Sequence, residues 1–206
     1  MTIRAPCEKC WRRSGASLRF ASVSARRGSR VAISGSGANL GAATFDSRVA
    51  GPNQGTQDED LLIEHGNLLL LQDSRSATQT TPGFFDVPVD DPDGGNLVFD
   101  FTGPVEARSV LLIDLDPPPN HGATVTLFDG AMRTRVYTVP PGWTGTYGVP
   151  GFLTLDLTTL DPQVVNPPGF RVATVTQQNG FVPGDVLRIV VHLTGLGAME
   201  ELSFCR

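Results

Sequence analysis

Carboxylates crowd one short stretch of this chain. In "VPVDDPDGGNLVFDF" (87–101), Asp90, Asp91 and Asp93 precede Gly94 and Gly95, directly ahead of an alternating apolar run. Such a set is a metal loop, part of an active site, or a turn feeding a strand. An EF-hand loop begun at Asp91 needs acids at 93 and 95, glycine at 96 and a bidentate acid at 102. The chain has Gly95, Asn96 and Thr102 there. The calcium-binding nonapeptide needs a third glycine where Leu97 stands. The stretch is therefore no autonomous metal loop. Asp-Pro-Asp-Gly-Gly is good turn chemistry, because Pro92 fixes φ and the glycines accept positive φ. It remains open to supply a ligand to a composite site, with Asp91 the outside candidate.

Other acids stand at strand ends: "FDS" (45–47), "DED" (58–60), "LLIDLD" (111–116) and "MEELSF" (199–204). Strict alternation puts Glu200 on the side of Leu202 and Phe204, and Asp114 with Asp116 on the side of Leu112. An acid turned inward is costly unless a cation or an arginine meets it. A glycosidase needs two carboxylates roughly 5–9.5 Å apart, which Asp114 and Asp116 could supply. His65, His121 and His192 lie in no G-x-S-x-G or H-E-x-x-H context. In "PPGWTGTYGVPG" (140–151), Trp143 and Tyr147 sit among four glycines and three prolines. That loop either presents aromatic faces to a sugar ring or folds Trp143 back as a lid.

"CEKC" (7–10) is half of a zinc pattern without a second pair; the third cysteine is Cys205. "RVAISGSGANLGAAT" imitates a dinucleotide loop, but Gly51, Pro52 and Gly55 break the helix that should follow.

The elements that must hold these residues are strands. Short alternating segments recur between Gly, Pro and Asp turns at 67–72, 96–101, 108–115, 122–128, 133–139, 151–157, 171–176, 185–193 and 199–204, with a shorter one at 42–46. No longer window has helical periodicity. The expected fold is all-β, an antiparallel two-sheet β-sandwich of jelly-roll type over residues 39–206. Residues 1–38, rich in Arg, Ser and Gly, read as a disordered basic leader. Residues 1–30 hold eight bases and one acid; residues 31–206 hold eight bases against twenty acids, a net of −12. An acidic body argues against nucleic acid as partner. No apolar run is long enough to span a membrane. "ASLRFASVSA", broken by Arg19, is too short for a standard signal peptide.

The ordered set "FDS…DEDLL…GNLLLLQD…DDPDGGNLVFDFTGPVEARSVLLIDLD…ATVTLFD…AMEELSF" resembles a β-sandwich domain of exported bacterial proteins, found in PEP-CTERM-sorted and other secreted or surface-anchored chains. The resemblance spans about 45–204 and implies a galactose-binding-like jelly roll on the cell surface without catalysis. It also implies a structural calcium tying the first strand to the last. Carried across, the ligands are Asp46 and Glu200, with Asp58 and Asp60 next. The chain departs at Glu200-Glu201, where similar domains have Asp-Asn. The expected function is a secreted or cell-surface module, calcium-stabilised, for adhesion or carbohydrate binding, with a glycan or the extracellular matrix as partner. The alternatives are a carbohydrate-active enzyme with paired strand-end carboxylates, and a purely structural matrix or surface-layer component.

Overall fold

The computed structural model describes residues 15–19, 29–34, 42–46, 61, 67–73, 89–115, 122–145, 151–164 and 171–206; for the first three stretches and Asn67 it describes the backbone alone. The strands are β1 (Gly15–Arg19), β2 (Ser29–Ser34), β3 (Ala42–Asp46), β4 (Asn67–Leu71), β5 (Gly95–Ile113), β6 (Ala123–Asp129), β7 (Thr134–Val139), β8 (Phe152–Asp156), β9 (Gln163–Val164), β10 (Val172–Gln177), β11 (Val186–Leu193) and β12 (Ala198–Cys205). They pair antiparallel in the order β3-β4-β12-β5-β11-β6-β7-β10-β9, with β1 beside β12 and both β2 and β8 beside β5. The fold is all-β, and the sheet curls into a half-barrel.

Most strands fall within a residue or two of the segments that alternation predicts. β1, β2 and β9 match no expected segment, and β5, expected as two strands, is found as one of 19 residues. Its first half pairs with β2 and β11, its second with β8 and β12. Between them the ladder to β11 is interrupted: Val105 faces Val186, but the next pair is Asp100 with Arg188. Pro104, which has no N–H to give a ladder, falls in this gap. The chain stays extended there while its partners change, so β5 joins the two parts of the sheet.

Inward residues of both parts make one core, including Leu97, Phe99, Leu112, Tyr137, Val191 and Phe204. Phe101 and Phe204 meet edge to face, their centroids 4.9 Å apart. A smaller cluster of Leu61, Leu68, Leu70, Ile113 and Ala198 forms separately. The leucine run is therefore buried on both sides, since Leu69 and Leu71 belong to the main core. Each such side chain contributes about 1.5–3 kcal/mol on burial.

Gln163 links two distant strands. Its main chain pairs with Ala173 of β10, while its amide binds the N–H and carbonyl of Asp156 in β8 at 2.8 and 2.7 Å. A side chain here does what a neighbouring strand would do.

Two strands lie inside the stretch expected to be a leader. β1 pairs with Glu201–Cys205, and β2 pairs with Asn96–Phe101 along the centre of the sheet. The remainder of 1–38, with Cys7 and Cys10, lies outside the described residues.

Candidate functional site

The aspartate stretch is a turn. Asp91 Oδ1 accepts the N–H of Asp93 at 2.9 Å, and the Asp91 carbonyl accepts the N–H of Gly94. Gly94 has φ +67°, and a Cβ there would stand 2.2 Å from the Leu193 carbonyl oxygen. Only glycine fits that conformation in that space.

Next to the turn lies a concentration of buried acid. Asp73, Asp90, Asp91, Asp114 and Glu200 are all less than 8 % exposed. The main chain gathers most of them at one end of the β4–β12–β5 region. Gln72 bridges Asp90, Asp73 N–H reaches the Val89 carbonyl, and Asp91 N–H reaches the Leu71 carbonyl. Asp90 Oδ2 accepts the N–H of Gly197 at 2.7 Å. A Cβ on Gly197 would lie 3.5 Å from the Asp114 carbonyl oxygen, which places Asp114 at the same end.

Asp114 departs from the alternation expected of it. β5 ends at Ile113, and Asp114 takes φ +54° with its N–H on the Gly151 carbonyl. The next N–H, of Leu115, is bound by Thr144 Oγ1 at 2.7 Å. Its expected companion Asp116 lies outside the described residues.

Glu200 also departs from simple parity. Met199 faces Leu112 and Leu202 faces Val110, so β12 carries one extra residue between them. Met199 and Leu202 thus share the main core, and the bulge breaks strict alternation across Glu200 and Glu201. Counting back from Leu202 and Phe204 across that bulge therefore does not fix the side of Glu200. Glu200 is buried all the same.

For calcium, the backbone brings the two principal candidates to the strands on either side of β4. Asp46 ends β3 opposite Asn67 of β4, and β12 with Glu200 flanks β4 on its other side. Two strand spacings of about 4.8 Å separate β3 from β12. The side chain of Asp46 lies outside the described residues, as do Asp58 and Asp60 entirely. Calcium takes about six to eight oxygens. Among the described residues no three of His, Cys, Asp and Glu converge on a point that could hold a metal ion. The described donors do not by themselves compose such a site.

Trp143 is a lid. It is 2 % exposed, belongs to the main core and donates Nε1–H to the Gln163 carbonyl at 3.4 Å. Arg171 Nη1 fastens the loop by binding the Gly142 and Gly145 carbonyls, both at 2.6 Å. Trp143 buried in this way offers no open face to a sugar, which favours the lid of the two readings. Tyr147 lies outside the described residues.

Among the histidines, His192 pairs Nδ1 with Asn96 Oδ1 at 3.0 Å; His65 and His121 lie outside the described residues. Two further groups escaped sequence reading. Asp129 receives N–H bonds from Ala131, Arg133 and Val182, and an ion pair from Arg133. Burial pushes its carboxyl up, but these donors outweigh it and hold it below the usual carboxylate value. Arg135 is the other. Alternation in "TRVYTV" puts it beside Tyr137 and Val139, and all three are buried. Burial raises the Tyr137 hydroxyl above its ordinary value, and Arg135 opposes that shift.

No protein-family model, curated protein or solved structure matches this chain. No helix among the described residues is long and apolar enough to cross a membrane.

Proposed function

We propose that this protein is a non-catalytic β-sandwich module of jelly-roll, galactose-binding-like type, secreted or held at a cell surface, where it serves adhesion or carbohydrate binding. The observation that carries the reading is how its acids are employed. Asp90, Asp91 and Asp129 are buried and accept main-chain N–H groups, Asp156 accepts that of Thr158, and Asp100 pairs with Arg188. These carboxylates hold turns and strand ends in place. Calcium between β3 and β12, with Asp46 and Glu200 as its first ligands and Asp58 and Asp60 next, belongs to the same proposal. It is supported by the flanking of β4 and by the burial of Glu200.

The test is a glycan array read with calcium and with chelator, beside melting curves under both conditions. Calcium-dependent retention of a glycan and a higher melting temperature support the module. Identical melting curves would remove calcium, and a blank array would leave only a structural matrix role.

One observation favours the enzymatic alternative: Asp114 is a buried acid in a backbone conformation that non-glycine residues rarely adopt. Turnover of a polysaccharide, abolished by Asp114→Asn, would replace the binding reading.

A further inference from the structure

Arg135 stands at the end of the sheet where β7 begins and β10 ends, facing inward. It is 4 % exposed. Nε donates to Gln177 Oε1 at 2.7 Å, and Nη1 donates to the Leu157 carbonyl at 3.1 Å and the Tyr137 hydroxyl at 3.5 Å. The Phe181 ring lies 5.0 Å from the guanidinium carbon. Every one of these partners is neutral. By contrast Arg108, Arg133 and Arg188 each pair with a carboxylate. Asp156 is the acid whose charge is felt at Tyr137, yet its carboxylate is turned onto Thr158.

Among the described residues no carboxylate pairs with Arg135, and a buried guanidinium without a counter-charge is costly. Here its orientation is fixed by Gln177, Leu157 and the Phe181 face, while Nη2 donates no hydrogen bond among the described residues. Gln177, beside it, is exposed, as is Leu160 in the adjoining turn. A preorganised cation with a donor to spare, buried beside an exposed glutamine, suits an oxyanion.

We propose that Arg135 is the seat of an anion-binding site that takes a single carboxylate of a ligand. The strongly acidic body disfavours a polyanion, whereas one carboxylate arriving at Nη2 meets a local positive charge. Within the function proposed above, and resting on it only for the sugar, the ligand is an acidic sugar. Gln177 and Tyr137 act as positioning residues, since each binds the guanidinium and holds its plane.

The test is a titration of the full chain with sodium glucuronate, with glucose and sodium acetate as parallel arms at matched ionic strength. Binding is read from the melting temperature and from the Arg135 Nε–H resonance. Glucuronate is expected to raise the melting temperature and to move that resonance, while glucose does neither. Arg135→Met should weaken glucuronate binding at least about tenfold, the loss that follows from removing a charge-assisted hydrogen bond. A response to acetate equal to that of glucuronate still supports the carboxylate seat, but removes the sugar. If Arg135→Met does not fold, the resonance in the wild-type chain decides alone. An unmoved resonance, or an equal response from Arg135→Met, overturns the site. Retention of a neutral glycan on the array alongside that result would leave the function proposed above standing.

Discussion

Asp90 and Gly197, 107 positions apart, are joined by a buried hydrogen bond of 2.7 Å from the Gly197 N–H to Asp90 Oδ2. The bond fastens the turn before β5 to the entry of β12. Gly197 has φ +141°, and a Cβ there would come within 3.0 Å of Leu115 Cδ2. An aspartate stretch that looks like metal chemistry thus includes a structural latch.

Removing that latch should be measurable. Asp90→Ala leaves the Gly197 N–H buried without its acceptor, a loss of about 1–3 kcal/mol. Asp90→Asn keeps an acceptor oxygen and should recover at least half of that loss. Urea unfolding of both variants checks this, and equal losses would mean that the Gly197 bond is not what matters.

Trp143→Ala should behave as a core deletion. With the indole 2 % exposed and packed in the main core, the expected loss is about 3–5 kcal/mol. A near-neutral effect in chemical denaturation would show that the ring does not fill the core in solution.

Acid should act through Asp129. Its carboxyl lies below the ordinary value of 3.8 in the folded chain. The stabilisation is then complete above the unfolded value and is lost as pH falls through the lowered folded value. Asp129→Asn should lower the melting temperature at neutral pH and lose less on further acidification than the wild type. Parallel acid melts of the two proteins would contradict this assignment.

Deletion of residues 1–38 separates two expectations. A disordered leader can be removed with little change. Pairing of β2 with Asn96–Phe101 instead predicts a lower melting temperature and faster amide exchange along that half of β5. Unchanged exchange at Asn96–Phe101 would return these residues to the leader.

Much of the fold was legible because alternation is a local property. "DVLRIVVHL" and "ATVTLFD" each carry their buried face in their own residue order, and Pro92 with Gly94 announces a turn to any reader of turn chemistry. The short strand "SRVAIS" was hidden among arginines and serines, and only its register with β5 reveals it.

What the sequence by itself determined is the class: antiparallel strands, the places of most of them, and a turn where the aspartates cluster. Tertiary structure alone decided the rest. Strict parity could not place Glu200, because the extra residue in β12 is defined only against Leu112 and Val110 on another strand. It could not tell that β5 runs unbroken past Pro104, because continuity there depends on an exchange of partners. It left Arg135 unnoticed and could not show that its described partners would be neutral. The physical reason is common to all three. A strand's pattern fixes which side chains share a face, whereas bulges, partners and counter-charges come from segments far away in the chain.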